Sequence, residues 1–295
     1  MNRLLVFGAG YSALACARRT RARFVEAAGT TRSSGRFGEL EAAGLRPLVF
    51  SGNPGGEPGG ELEAEIAAAT HLLVSIGPGA TGDPALEVCR PALRAARRLR
   101  WICYLSTIGV YGDHGGAWID EETACRPVSQ RSRERLEAEN GWRAFAASRG
   151  LPLSIFRLPG IYGPGRNAFV NLREGTARRI VKPGQVFNRV HRDDIAEAFS
   201  RAAAMQADGV FNIADDVPSP PQDVVAFAAL LMGAAPPPEE DFATASLSPM
   251  ARSFYGESKR VSNARSKRVL GLVYAYPDYR TALTRMWREN TWNAD

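Results

Sequence analysis

The chain is poor in the residues that build metal and redox sites, with only four cysteines and three histidines among 295 residues. The cysteines show no C-x-x-C spacing, which argues against a structural zinc site and a disulfide scaffold and suits a reducing compartment. The histidines have no ligand spacing either, so the sequence predicts neither a metal centre nor a Ser-His-Asp hydrolase. These residues are Cys16, Cys89, Cys103, Cys125, His71, His114 and His191.

The chain also lacks a long apolar run and a clustered basic face. No stretch approaches the roughly 20 apolar residues that span a bilayer, and the apolar part of "MNRLLVFGAG" is too short for a secretory signal. The sequence therefore predicts no membrane association and a cytoplasmic location. The net charge is +6, but the basic residues are dispersed and nearly all are arginine, which argues against a nucleic-acid partner.

Short apolar runs of the strand type alternate with helical stretches through the first half of the chain. This alternation predicts a parallel sheet that is covered by helices on both faces. The expected strands are residues 4–7, 24–28, 48–50, 71–76, 101–105 and 153–158, and the expected helices include residues 12–19, 85–98 and 132–147.

The segment "LLVFGAGYSALA" places Gly8, Gly10 and Ala13 in a G-x-G-x-x-A pattern between an expected strand and an expected helix. This context predicts a dinucleotide-binding turn, in which Gly8 permits the tight turn, Gly10 lets the backbone approach the pyrophosphate and Ala13 lets the helix pack on the strand. Tyr11 and Ser12 stand where the expected helix opens, with its N-terminus facing the phosphates. The alternative is a tight strand-to-helix turn with no ligand.

The end of the second expected strand indicates which dinucleotide is bound. An NAD site usually has an acidic residue there, whereas this chain has "GTTRSS", in which Thr31, Arg32 and Ser33 offer a cation and two hydroxyls. Arginine binds phosphate through two parallel hydrogen bonds, so the segment favours the 2′-phosphate of NADP over NAD. The alternative is a solvated loop arginine.

Several longer segments resemble the extended short-chain dehydrogenase/reductase superfamily of the nucleotide-sugar epimerase and dehydratase type. They are "YLSTIGVYGDHGG", "FRLPGIYGPGR", "NRVHRDDIAEAF", "GVFNIADD" and "KRVSNARSKRVLGL", so the resemblance runs from about residue 3 to residue 285. It implies an α/β fold with a doubly wound parallel sheet. The NAD(P)-binding Rossmann domain would hold residues 1–165, with 188–215 returning to it, and a small C-terminal substrate lobe would hold residues 166–187 and 216–295.

The resemblance also implies where cofactor and substrate meet. Ser106 and Thr107 would line the nicotinamide side, with Thr107 in the position of the hydroxyl that bonds the substrate carbonyl. Ile76, Gly77 and Pro78 would flank the adenosine and ribose side, and Pro159, Gly160 and Ile161 would border the nicotinamide amide. All of these follow expected strands, at the edge where open α/β sheets bind ligands.

The chain departs from the family at the Tyr-x-x-x-Lys pair, because "RSRERLEAE" puts Arg131 in the Tyr position and Arg135 in the Lys position. Arg135 can still bond ribose hydroxyls, but Arg131 stays protonated and transfers no proton at working pH. Arg131 could instead polarise a carbonyl or bind an anionic substrate. The alternative is that the helix is rotated and both arginines are solvated.

If catalysis persists, another group must supply the proton, and the candidates are Tyr111, Tyr162 and His191, each of which has a structural role as the alternative. The leading hypothesis is an NADP(H)-binding oxidoreductase or epimerase-like enzyme for a small substrate that is anionic or sugar-linked. The competing hypothesis is a non-catalytic NADP(H)-binding sensor or scaffold. Family members often form homodimers, for which the helices at 85–98 and 132–147 are candidates by resemblance alone.

Overall fold

The structure, a computed structural model, describes residues 1–53 and 55–293, and its centre is a sheet of seven parallel strands. Residues 294 and 295 of the expected lobe lie outside the described residues. The strands are β1 Arg3–Phe7, β2 Glu26–Thr31, β3 Arg46–Val49, β4 His71–Val74, β5 Trp101–Thr107, β6 Trp118–Ile119, β7 Leu153–Leu158, β8 Gly160–Tyr162, β9 Arg179–Val181, β10 Arg189–His191, β11 Gly209–Asn212, β12 Glu239–Asp241 and β13 Arg260–Val261.

The helices are α1 Tyr11–Thr20, α2 Phe37–Ala42, α3 Gly60–Ala68, α4 Pro84–Ala95, α5 Gln130–Arg149, α6 Ala168–Arg173, α7 Arg192–Met205, α8 Pro221–Leu231, α9 Pro249–Phe254, α10 Ala264–Leu270 and α11 Tyr279–Arg288, with short 3-10 turns at Ser34–Arg36 and Ile108–Tyr111. Within the described residues, no helix is long and apolar enough to cross a membrane.

The main sheet has the strand order β11-β7-β5-β4-β1-β2-β3. The chain runs outward from β1 through β2 to β3 and then returns to β4 on the opposite side of β1, so the strand order reverses between β1 and β4. Helices cover both faces, because one apolar cluster joins the sheet to α1 and α7 and a second joins it to α4 and α5. The predicted doubly wound α/β fold is confirmed.

The second strand differs from its expected position at residues 24–28. Phe24 is buried in the core, but pairing with β1 begins only at Glu26, opposite Arg3, and β2 continues to Thr31. Apolar content suggested an early strand, whereas the parallel register sets its actual bounds. The shift brings Thr30 and Thr31, both buried, to the carboxyl end of β2.

A third apolar cluster joins α6, α8 and α11 beside the main sheet, and it includes Phe169, Ala228 and Leu283. Not all of the expected C-terminal lobe packs there. Leu270 and Tyr274 belong to the core cluster that holds Val6 of β1. The segment around α10 therefore rests on the Rossmann core, and the division of the chain at residue 216 stays a prediction.

Candidate cofactor and substrate site

The glycine turn after β1 has the backbone that the pattern predicts. Gly8 has a φ of +80°, and a Cβ there would lie 2.9 Å from the backbone nitrogen of Ile76, so the turn needs glycine for its conformation and for the close approach of β1 and β4. Gly10 differs, because its backbone is extended and a Cβ there would have no other atom within 4 Å. A second molecule can therefore approach the backbone at Gly10, as a dinucleotide requires.

Thr30, which the sequence reasoning did not single out, holds this turn in place. The backbone N–H of Gly8 donates to Thr30 Oγ1 at 2.8 Å, and the backbone N–H of Ala9 donates to the Thr30 carbonyl at the same distance. Only the pairing of β1 with β2 brings the two segments together, so no local pattern could have indicated this role.

The first turn of α1 links the glycine turn to the loop after β8. The hydroxyl of Tyr11 donates to the Pro164 carbonyl at 2.9 Å, and burial raises the pKa of Tyr11 to about 12. Ser12 and Ala13 are buried where α1 packs on the sheet. The first turn carries no acidic side chain, so nothing there opposes the approach of a phosphate to the helix N-terminus.

The carboxyl end of β2 has the chemistry expected for a 2′-phosphate. Arg32 and Ser33 are exposed after the buried Thr31, and no acidic residue stands in this segment. Further along the same edge, Ile76, Gly77 and Pro78 follow β4, and a Cβ at Gly77 would have no other atom within 4 Å. These residues lie where a cofactor would cross the edge of the sheet at β1, β2 and β4.

Arg135 of α5 reaches the carboxyl ends of the two central strands. Its Nη1 donates to the Leu105 carbonyl at 3.0 Å, to the Tyr104 hydroxyl at 3.1 Å and to the Ile76 carbonyl at 3.4 Å. The guanidinium carbon also lies 5.6 Å from the centroid of the Tyr104 ring. The positive charge of Arg135 is therefore held where β4 and β5 end.

Ser106 lies at the end of β5, but its side chain turns away from the cleft. The hydroxyl donates to Glu139 Oε1 at 2.5 Å, and the same carboxylate receives hydrogen bonds from Arg157 Nε at 3.1 Å and Nη2 at 2.8 Å. Glu139 and Arg157 are 0% and 4% exposed. This buried network ties α5 to β5 and β7, so the Ser106 hydroxyl serves the scaffold, and the expected place of Ser106 beside the nicotinamide stays a prediction.

A cavity of about 570 Å³ opens beside these strand ends, between α5 and the segment that holds α9. Thr107 lies on its wall and accepts a hydrogen bond from the Gly109 backbone N–H at 3.1 Å. Pro159, Gly160 and Ile161 also line it, and their expected place beside the nicotinamide amide stays a prediction.

Arg131 lines the same cavity from α5. It is exposed, and its guanidinium carbon lies 5.2 Å from the centroid of the Phe254 ring of α9. The side chain therefore extends toward the C-terminal segment while remaining exposed, and the choice between a substrate-binding role and a solvated one stays a prediction. Arg131 and Arg135 share a helix face but point to different partners.

The cavity wall carries more positive than negative charge. Arg131, Arg166, Arg189 and Lys259 line it, against a single carboxylate, Glu257. Lys259 is bound to Glu257 at 2.6 Å, which neutralises that pair. Three arginines remain, and together they favour an anionic ligand.

The tyrosines considered as proton donors lie outside this cavity. Tyr111 is fully buried, donates to Asn212 Oδ1 at 2.8 Å and stacks under Arg157 at 4.7 Å, and burial raises its pKa to about 12. This position does not support a proton-donor role. Tyr162 is buried and lines a separate cavity, and burial raises its pKa well above the usual range.

His191 is a cap and packing residue. Its Nδ1 accepts a hydrogen bond from the Asp193 backbone N–H at 3.2 Å at the start of α7, and its ring stacks on Tyr276 at 3.7 Å. Burial lowers the pKa of His191 to about 3. Among the described residues, no group of three or more histidine, cysteine, aspartate or glutamate side chains could hold a metal ion.

Several residues of the cleft were missed by the sequence reasoning. Phe254, Lys259 and Glu257 come from segments far from α5 in sequence, and Arg166 and Arg189 stand in recognised motifs without an assigned role. Only the arrangement of the chain around the cleft brings them together. The predominance of arginine among the basic residues was the one available signal.

Comparison with known proteins places the chain in a family. The model of the NAD dependent epimerase/dehydratase family matches residues 67–214, about half of the chain. None of the curated proteins compared with the chain matches it.

Solved structures show the same fold over nearly the whole chain. A functionally unknown conserved protein from Silicibacter pomeroyi is 44% identical, with a TM-score of 0.88 over 98% of this chain and 99% of that one. The human epimerase family protein SDR39U1, solved with NADPH, is 17% identical, with a TM-score of 0.71 over 97% and 99%. The dTDP-glucose 4,6-dehydratase from Bacillus anthracis, solved with NAD, is 16% identical, with a TM-score of 0.77 over 98% and 97%.

The solved structures support the fold, whereas the family model, which matches about half of the chain, carries the assignment. By these matches, and by its glycine turn and parallel sheet, the chain belongs to the NAD-dependent epimerase/dehydratase family.

Proposed function

We propose that this protein binds NADP(H) and transfers hydride between the nicotinamide and a small anionic substrate held in the 570 Å³ cavity. The observation that carries the proposal is that Thr107, at the end of β5, and Arg131, in the family's Tyr position, line the same cavity. The cavity thus joins a hydroxyl at the nicotinamide edge of the sheet to a cationic wall. Carbonyl reduction or alcohol oxidation fits this combination.

The cofactor would be held along the edge where β1, β2, β4, β5 and β7 end. Backbone N–H groups at Tyr11 and Ser12 would bind the pyrophosphate, as helix N-termini bind anions, and Gly10 would leave room for its approach. Arg135, in the family's Lys position, would donate to the nicotinamide ribose. The 2′-phosphate would be bound by Thr31, Arg32 and Ser33, and the remaining expected contacts would come from Ile76, Gly77, Pro78, Pro159, Gly160 and Ile161.

The residues that line the cavity would have different roles in the reaction. When bound, the cofactor supplies or accepts the hydride. Thr107 would orient the reacting oxygen, and Arg131 would stabilise negative charge on it without moving a proton. The proton must then come from another group on the wall, and the two that carry a transferable proton are the Tyr255 phenol and the Lys259 ammonium.

A non-catalytic NADP(H) sensor or scaffold is the second candidate function. The observation that favours it is the contact of Arg131 with Phe254, which occupies the guanidinium in a link between α5 and α9. In that case cofactor binding would change the cleft, and no substrate would be turned over.

The family resemblance also supports a homodimer through α4 and α5, which pack together on one side of the sheet. Light scattering of the purified protein tests this part of the proposal. A mass near the 31.9 kDa of one chain would contradict it.

The experiment that separates the two functions is a panel of carbonyl compounds, including 2-oxo and 3-oxo acids, tested with NADPH. Oxidation of NADPH by the natural protein, reduced at least tenfold in Thr107→Val, is the expected result. Activity that appears only in the double variant Arg131→Tyr with Arg135→Lys would show that the natural protein has lost this chemistry and would favour the sensor. Arg133→Ala, which removes one charge from an exposed position on the same helix, is the matched control.

A further inference from the structure

A second cavity, of about 430 Å³, lies beside the cleft and shares part of its wall. Gly160, Ile161, Arg166 and Arg189 line both cavities, so the two spaces meet at these residues. The far wall of the second cavity is largely apolar and comes from α8 and α11. Its apolar side chains include those of Pro221, Val224, Val225 and Leu283.

The charged residues that line the second cavity are both arginines, Arg166 and Arg189, and no carboxylate lines it. Nη1 of Arg189 donates to Ser219 Oγ at 2.8 Å and to the carbonyls of Phe187 and Ser219 at 3.1 Å. These three hydrogen bonds all leave from Nη1, so they do not engage Nε or Nη2. An arginine with its fork at the border of two cavities is suited to bind an anion.

The nearby acid does not satisfy Arg189. Asp215 is 2% exposed, and neither of its carboxylate oxygens has a hydrogen-bond partner within the described residues. Burial raises the pKa of Asp215 well above its usual range, which favours the neutral form. The Tyr162 hydroxyl, on the wall of the same cavity, is also buried without a partner.

We propose that the second cavity receives the apolar body of a small carboxylic acid whose carboxylate is bound by Arg189 and Arg166 where the two cavities meet. A carboxylate matches the planar fork of arginine, and the apolar side chains of α8 and α11 match a hydrocarbon chain. The assignment names the substrate class of the oxidoreductase and rests on the proposed function in that respect. Binding of the acid itself does not require the cofactor.

The test is calorimetric titration of the full chain, without cofactor, with acetate, butyrate, hexanoate and octanoate. The affinity should rise about fourfold for each added methylene until the cavity is filled, which corresponds to burial of about 0.8 kcal/mol per methylene. Hexan-1-ol, which lacks the charge, should bind at least tenfold more weakly than hexanoate. Equal affinity for acetate and hexanoate, or no binding of either, would overturn the proposal.

Two pairs of variants locate the site. Val225→Trp should fill the cavity and abolish the gain from chain length, whereas Leu230→Trp, on the same helix at a side chain 71% exposed, should change nothing. Arg189→Met should weaken hexanoate binding at least tenfold, and Arg189→Lys should restore part of it. Because Arg189 also holds Ser219, thermal unfolding checks that variant, and Val225→Trp decides the matter if Arg189→Met does not fold.

The outcomes for the two proposals are separable. Hexanoate binding that is lost in Val225→Trp, in a protein that shows no affinity for NADPH, would support this site and contradict the proposed function. NADPH binding and oxidation with no chain-length effect would contradict this site and leave the proposed function supported.

Discussion

Arg32 is the residue on which the choice between NADP and NAD depends. If it binds the 2′-phosphate, NADPH should bind more tightly than NADH, and Arg32→Ala should remove most of that difference. A charge-assisted hydrogen bond of this kind is worth about 1.5 to 3 kcal/mol. Fluorescence titration with both cofactors measures the effect, with the exposed Arg23→Ala, at the opposite end of β2, as the control. Equal affinities in the natural protein would rule out the assignment.

Substitution of the two glycines of the first turn should have opposite effects on cofactor binding and on stability. Gly10→Val should abolish NADPH binding with the fold intact, because its backbone is extended and no protein atom opposes a Cβ there. Gly8→Ala should destabilise the fold itself, because Gly8 has a positive φ and lies against Ile76. Titration with NADPH, together with thermal unfolding, distinguishes them. Unchanged affinity in folded Gly10→Val would mean that the turn serves structure alone.

The role of a residue could be predicted from the sequence where the residue stands at a fixed position of a recognisable motif. The glycine turn and the two arginines of α5 were identified by spacing. The roles of Thr30, Phe254 and Arg189 could not be, since each depends on a partner far away in the chain. Tyr111 shows the converse difficulty, because a tyrosine in a recognised motif gives no sign of whether it faces the cleft or the core.

At the scale of the element, α5 contributes residues both to the buried scaffold and to the candidate site. The face that directs Arg131 and Arg135 to the cleft also carries Glu139, one turn beyond Arg135, into the buried network with Arg157. The repulsion expected between two arginines one turn apart is reduced because their side chains diverge, one to Phe254 and one to the strand ends. The buried Glu139 explains why this face cannot simply rotate into solvent.

Separate substitutions of Arg131 and Arg135 should show that the two arginines bind different ligands. Arg135→Ala should weaken NADPH binding through lost ribose hydrogen bonds, by about tenfold or more, whereas Arg131→Ala should leave it within about twofold. Arg131→Ala should instead weaken the binding of an anionic substrate. Fluorescence titration with NADPH tests the first pair of effects. The same loss in both variants would mean that the two side chains serve one ligand.

The long apolar strands were predicted from the sequence, and the short ones were not. Apolar runs identified the central strands, but β6, β8, β9, β10, β12 and β13 have two or three residues each, too few to form such a run. Their pairing is also distant, as in β13 with β6. These short pairs shape the region around the cleft, so the outline of the cavity lay beyond sequence reasoning.

At the scale of the whole molecule, buried histidines contribute to the pH dependence of the free energy of unfolding. His71 packs between Phe24 and Trp101, and burial lowers its pKa from 6.5 to about 4. Between these values His71 binds more protons in the unfolded chain than in the folded one, so its contribution to the free energy of unfolding falls as the pH is lowered from about 6.5 to 4. Between pH 7 and pH 4.5, His71→Phe should reduce this fall by about 2 kcal/mol.

Urea unfolding at pH 7 and pH 4.5 measures the difference. His114→Phe is the comparison variant, because His114 is only partly buried, in a loop near the protein surface. If acidification lowers the free energy of unfolding equally in His71→Phe and in the natural protein, His71 takes up no proton when the chain unfolds, and the prediction is wrong. His191, whose pKa is lowered to about 3, should add to the same trend.

The strand order has a consequence for how the sheet can form while the chain is synthesised on the ribosome. In the order β11-β7-β5-β4-β1-β2-β3, each newly made strand joins an outer edge of the sheet already present, first on one side of β1 and then on the other. No strand must insert between two that are paired, so the sheet can grow in step with synthesis. The loop at the cleft comes last, because Gly165 and Asn167 donate to the carbonyl of Trp292, at 2.9 Å and 2.6 Å, only after that residue has emerged.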